Sequence, residues 1–224
     1  GVVGDGEDGR RGLARIRQLG REVEECGMAA GVGHSEAPKS QQEKMDSRVA
    51  DEVKRVNEIV AFMQQSYNQA AQKVNEIGMM DWPMQIIHSD WHPGNMLFRG
   101  SRVVAVIDYD AARMQQRVID TANGALQFSI LGGGDDPSAW PDYLDLTRYK
   151  RFLIGYDKVN QLSNRELQTI PFLMIEALIA EAAIPIAATG SFARMDGFDF
   201  LIMIERKVKW LQSNVDQLSS ILDD

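Results

Sequence analysis

HSDWHPGN, running from His88 to Asn95, and the Asp of VIDYD (106–110) thirteen positions after Asn95 decide the reading of this chain. Pro93-Gly94 calls for a tight turn, because proline fixes φ and glycine accepts backbone angles closed to other residues. The chain therefore doubles back between Asp90 and Asn95, and the carboxylate and the amide face one spot. Asp108 ends the apolar run Val103-Val104-Ala105-Val106-Ile107 and emerges at the mouth of that run. The set offers one acceptor for a hydroxyl proton and two oxygen ligands for a hard cation. Mg²⁺ suits it, since that ion takes few protein oxygens and completes its shell with phosphate and water. An oriented hydroxyl and a metal on the phosphates are what phosphoryl transfer from a nucleotide requires, with catalysis by positioning and charge neutralisation.

The flanking sequence gives this motif a setting. Upstream, Val49, Val53, Val56, Val60, Met63, Tyr67, Ala70, Val74 and Ile77 recur every three or four residues, which predicts a long helix facing a core. A coiled-coil seam is the other reading of the same spacing. From Met84 the period changes. MQII (84–87), NMLF (95–98) and RVVAVID (102–108) read as short strands, with Arg99-Gly100-Ser101 as a hairpin connection. Helices are then expected at about 118–131, 142–158, 164–187 and 197–222, with GGGDDPSAWP (132–141) as a loop. Ser163 and Glu166 form a capping box for the third of these. The expected fold class is α+β, mainly helical, with a small β hairpin carrying the polar loops. Residues 1–45 read as a flexible or partly helical N-terminal segment. Its ends are Gly-rich or linker-like, and Leu13, Ile16, Leu19 and Val23 make a short amphipathic stretch between them. Residues 46–224 read as one helical unit.

Bulk properties narrow the function classes. The 224 residues are 44% apolar and 25% charged, an ordinary globular mixture. A net charge of −8 argues against nucleic acid as a partner, which needs a basic surface. One cysteine, Cys26, cannot form an internal disulfide, which suits a reducing cytoplasm. No long apolar run or signal-peptide pattern stands out, so a cytoplasmic protein without a membrane partner is expected.

HSDWHPGNMLF followed by VVAVIDYD resembles the catalytic and metal loops of the aminoglycoside phosphotransferase and choline kinase-like family, small-molecule relatives of the protein kinases. Its hallmarks are HGDxHPGN…L and IDWE or IDFD; this chain has Ser89 for the usual Gly and Tyr109 where Trp or Phe is common. The resemblance implies the C-terminal catalytic lobe of a protein-kinase-like fold, with ATP and Mg²⁺ as cofactors and a small-molecule hydroxyl as acceptor. That acceptor class includes aminoglycosides, choline, homoserine and sugars. Asp90 would be the catalytic base, Asn95 and Asp108 the Mg²⁺ ligands, and His88 and His92 braces of the catalytic loop. Asp120, in RVID (117–120), would hydrogen-bond that loop's backbone. Acidic residues of the later helices, Asp196 and Asp199, are candidate substrate contacts, with helix-start charge as their plainer reading. A homodimer is compatible with it.

The resemblance covers residues from about 46 to the end and leaves out the lobe that grips nucleotide phosphates. Gly4-Asp5-Gly6-Glu7-Asp8-Gly9 spells G-x-G-x-x-G, yet no strand precedes it and its acids would repel phosphate. A C-terminal piece of a longer kinase is therefore expected. Two other readings stand beside it: a non-catalytic kinase-like ligand-binding or regulatory module, and a metal-dependent hydrolase built on His88 and His92.

Overall fold

The computed structural model describes residues 14–15, 39–134 and 136–223, with side chains in its first long helix from residue 48. The amphipathic stretch Leu13–Val23 (apart from residues 14–15, which are helical) and the Gly-rich motif at 4–9 lie outside these residues. That first helix, α1 (Lys39–Ile77), buries Val53, Ile59, Val60, Met63, Tyr67, Ala70 and Val74. It begins seven residues before the expected boundary at 46, so part of the stretch read as linker-like is helical backbone. Its apolar stripe packs on two later helices of the same chain, which makes it a core helix and not a coiled-coil seam.

Gly78 ends α1 with φ +81, a left-handed conformation that glycine adopts without strain. Four strands follow: β1 (Met84–Ile87), β2 (Met96–Arg99), β3 (Arg102–Val106) and β4 (Arg113–Gln116). β2 and β3 form the expected hairpin, with Gly100 at φ +61 in the turn and Arg99 facing Arg102. β1 pairs antiparallel with β4, Met84 opposite Gln116 and Ile87 opposite Arg113. β4 corrects the sequence reading, which returned the chain to helix after Asp108. Arg113-Met114-Gln115-Gln116 has no β-branched residue; it is a strand because β1 supplies the hydrogen-bonding partner, a tertiary effect that outweighs local propensity.

The remaining elements are helical: α2 (Val118–Ser129), α3 (Leu146–Asp157), α4 (Asn164–Thr189), α5 (Gly197–Ser213) and α6 (Val215–Ser219). Asp145 caps α3, accepting from the Thr147 and Arg148 N–H groups, so that helix starts at 146 and not 142. The expected 197–222 helix is broken at Asn214, whose side chain turns back to donate to the Trp210 carbonyl. A short hairpin of β5 (Ser191–Phe192) and β6 (Met195–Asp196), absent from the sequence reading, joins α4 to α5. The whole is a mainly helical α+β arrangement.

α4 is the centre, packing against α1, α2, α5 and α6. It is long and apolar enough to cross a membrane by length and composition, but 78% of that window is buried among the other elements. Its N-terminus carries the capping box: Ser163 Oγ accepts from Glu166 N, and Ser163 N donates to Glu166 Oε2 at 2.8 Å. Arg117, just before α2, grips the same carboxylate through Nε at 2.7 Å and Nη2 at 2.9 Å. Burial opposes the charged form of Glu166, but the hydrogen bonds from Arg117 and Ser163 together outweigh it and hold the carboxyl below its ordinary value of 4.5. A depressed folded value means this stabilisation is present above 4.5 and drains as pH falls through the lower, folded value. Glu166→Gln should lower stability by about 1–3 kcal/mol near neutrality. The loss should shrink below pH 4.5, which urea denaturation across pH 3–7 would show.

Candidate active site

The loop from His88 to Asn95 is held from behind by one carboxylate. Asp120, in the first turn of α2, accepts from His88 N at 2.6 Å through Oδ2 and from Ser89 N at 2.8 Å through Oδ1. Burial raises the Asp120 carboxyl above its ordinary value, and the two backbone donors oppose that rise. Ser89 sits at φ +65, a left-handed angle that costs a non-glycine residue on the order of 1 kcal/mol. Its N–H bond to Asp120 and a 3.1 Å bond from Arg113 Nε to its Oγ hold it there.

His88 is buried and ties this loop to the next strand: its Nε2 donates to the Ile107 carbonyl at 2.9 Å. The ring lies against Trp91 and Tyr109, with centroids 5.6 and 4.8 Å away. His92 begins the Pro93–Asn95 turn, its Nδ1 accepting from Gly94 N at 3.0 Å. A Cβ on Gly94 would lie 2.6 Å from His92 Cε1, so glycine is what lets the imidazole fold over its own turn. The other ring nitrogen, Nε2, stands 3.5 Å from Asp90 Oδ2.

That turn aims Asn95 back at Asp90. Asn95 Nδ2 donates to the Asp90 carbonyl at 2.9 Å and to Asp90 Oδ2 at 2.8 Å, leaving its Oδ1 without a share in either bond. Ile107 N donates to the Asn95 carbonyl at 3.0 Å, which sets Asp108 beside the same turn. The strand ends at Val106, two residues short of the expected 108, and Asp108 turns away at φ +64. Chemically, the cluster offers one carboxylate with its Oδ1 outside these bonds, one amide oxygen and one further carboxylate. His88 uses Nε2 on the Ile107 carbonyl while its buried Nδ1 meets no partner among the described residues, and His92 uses Nδ1 on Gly94 N. Among the described residues no three His, Cys, Asp or Glu side chains are placed to hold a metal ion.

A recess of about 350 Å³ lies between α2, α4 and α5. Its walls are largely apolar, with Trp140, Phe192 and Phe200 among them. Glu181 of α4 lines it, held by a 2.6 Å bond from Gln127 Nε2 of α2. Burial pushes the Glu181 carboxyl up, and the nearby Asp90 charge adds to this, to about 7. Lys207 of α5 also lines the recess; burial brings its ammonium down to about 8 while Asp142 works the other way. The sequence reading passed over both residues. Their signal was a charge on an otherwise apolar helix face, visible for Glu181 within LIAEAAIPIA (178–187). Asp196 and Asp199 do not line this recess. The Asp196 carboxylate caps α5, accepting from Phe198 N and Asp199 N.

The Asp120 contact yields a direct check. Asp120→Asn replaces one acceptor oxygen with a donor, so one of the two backbone N–H groups loses its partner, at about 1–3 kcal/mol of local stability. Amide hydrogen exchange at His88 and Ser89 should accelerate by roughly tenfold or more while the α4 amides hold their rates.

Residues 7–193 match the phosphotransferase enzyme family. The match starts inside the N-terminal segment read as linker-like and ends in the turn between β5 and β6, so it takes in the whole of the Asp90, Asn95, Asp108 and Asp120 cluster. No curated protein matches the chain. Because the match spans well over half of the sequence, the chain belongs to the phosphotransferase enzyme family.

Proposed function

We propose that this chain carries the catalytic lobe of a protein-kinase-like, ATP- and Mg²⁺-dependent phosphotransferase whose acceptor is a hydroxyl of a small molecule. One observation carries the reading: the Asn95 amide is fixed on Asp90 by two hydrogen bonds, with Asp108 brought to the same turn by the Ile107–Asn95 backbone bond. Asp90 then has Oδ1 available to accept the acceptor's O–H and take its proton. Its Oδ2 is held by Asn95, which stops the side chain from rotating away.

Asn95 Oδ1 and the Asp108 carboxylate are the oxygens that would hold Mg²⁺. The fit is one of donor type: hard oxygens, few in number, leaving the rest of the shell to phosphate and water. When bound, the ion neutralises phosphate charge and aligns the transferring group. His88 keeps the two loops in register through Ile107, and Asp120 keeps Asp90 at a fixed height above α2. His92 serves as a brace of the same turn. Asp196 and Asp199, which do not line the recess, have a capping and first-turn role in this reading. The single cysteine and the acidic surface agree with a cytoplasmic enzyme.

The test is kinetic, on the full-length protein with a hydroxyl acceptor found by screening. Asp90→Ala and Asp108→Ala should each reduce turnover by about three orders of magnitude or more with the thermal transition unmoved. Asn95→Ala should act mainly through a weaker apparent affinity for Mg²⁺·ATP. Wild-type turnover in either aspartate variant sinks the assignment.

A further inference from the structure

A second recess, of about 440 Å³, lies between β1, the start of α2 and the C-terminal half of α3. The His88–Asn95 loop lines it through Trp91, the residue after Asp90, and the loop's anchor lines it through Asp120. Its apolar walls are mostly aromatic, with Phe152 and Tyr156 of α3 beside Trp91. Two guanidinium groups also line it, and their states differ. Arg117 is spent on Glu166, Asn160 and the Gln161 carbonyl. Arg151 is exposed and has neither ion pair nor hydrogen bond among the described residues. Gly155 opens the space. It lies in the last turn of α3, although glycine is the poorest helix former after proline. Its φ is not left-handed, so it does not act as a helix stop, and a Cβ placed on it would meet nothing within 4 Å. Packing does not need this glycine, and the room it leaves is open to an occupant.

We infer that this recess binds a small aromatic monocarboxylate. Its ring lies among Trp91, Phe152 and Tyr156, over Gly155, and its carboxylate pairs with the Arg151 guanidinium. A guanidinium fork matches a carboxylate in two parallel N–H···O bonds, and aromatic rings gain from one another beyond burial alone. The charges on the wall favour a single negative charge. Arg151 is the one unpaired cation among the lining residues, and the Asp120 carboxylate beside it would repel a phosphate dianion. An amine would leave Arg151 facing like charge. Neither Glu181 nor Lys207 lines this recess, and the inference does not draw on the phosphotransferase reading. The occupant touches the loop at Trp91 and its anchor at Asp120, so an occupied recess holds the loop more firmly.

Calorimetric titration of the intact chain tests this with phenylacetate, indole-3-acetate and 1-naphthylacetate, each beside its neutral amide. At least one acid should bind ~10-fold or more tightly than its amide, the gain of a charge-assisted pair. Arg151→Met keeps an apolar stem on an exposed position and should bring acid and amide to within about twofold of each other. Gly155→Leu should fill the recess and weaken acid and amide alike by ~10-fold or more. Its thermal transition should not fall, because leucine is the better helix former and meets open space there. With the tightest acid bound, amide hydrogen exchange at Ser89 and Trp91 should slow by about threefold or more while the α4 amides hold their rates. Equal affinity for acid and amide, affinity unmoved by Arg151→Met or by Gly155→Leu, unchanged exchange in the loop, or binding of no probe overturns the proposal.

Discussion

A half-buried carboxylate must be satisfied by something, and here it is satisfied by the backbone of the loop it supports. Asp120 holds the N–H groups of two successive residues, one of them in a left-handed conformation that an unsupported serine would leave. The rest of the site follows from that clamp. With Ser89 fixed, Asp90 projects to one side and His88 to the other, and the buried imidazole reaches the strand that carries Asp108. The Pro93–Asn95 turn then folds Asn95 onto Asp90. Each later contact presupposes the first, because none of them fixes the direction in which the loop leaves β1.

How much of this could be read from the sequence depends on where the determining interaction lies. The long helix was legible because Val53, Val60, Met63, Tyr67 and Val74 repeat with the helical period and are all buried. The Ser163–Glu166 box was legible because a cap is settled within four residues, and the convergence of Asn95 on Asp90 because a Pro-Gly turn is equally local. β4 was not, since Arg113–Gln116 becomes a strand only opposite β1, nearly thirty residues away in sequence. Nor were the helix start at Asp145 and the helix stop at Asn214 anticipated, where side-chain bonds to the backbone override a continuing apolar pattern.

The recess was the largest omission, and for a physical reason. Gln127, Trp140, Glu181 and Lys207 lie on four separate stretches, and only packing of α2 and α5 on α4 brings them together. A lone Glu in an apolar helix says that something unusual is nearby without saying what. Its carboxyl is pushed up by burial, and by the charge of Asp90, ninety-one positions earlier.

α2 carries Asp120 in its first turn, Gly124 one turn on, and Gln127 about one turn further. Gly124 has no side chain at a point where a Cβ would come within 2.4 Å of Phe152 Cζ and 2.6 Å of Trp91 Cδ1, so the loop's indole rests directly on the helix barrel. One rigid rod therefore bears the loop anchor, the bearing surface for Trp91 and the group that holds Glu181. A slide of α2 along its own axis would carry all three together. The loop that carries Asp90 and the recess wall that carries Glu181 are thus tied to one helix, through Asp120 and Gln127.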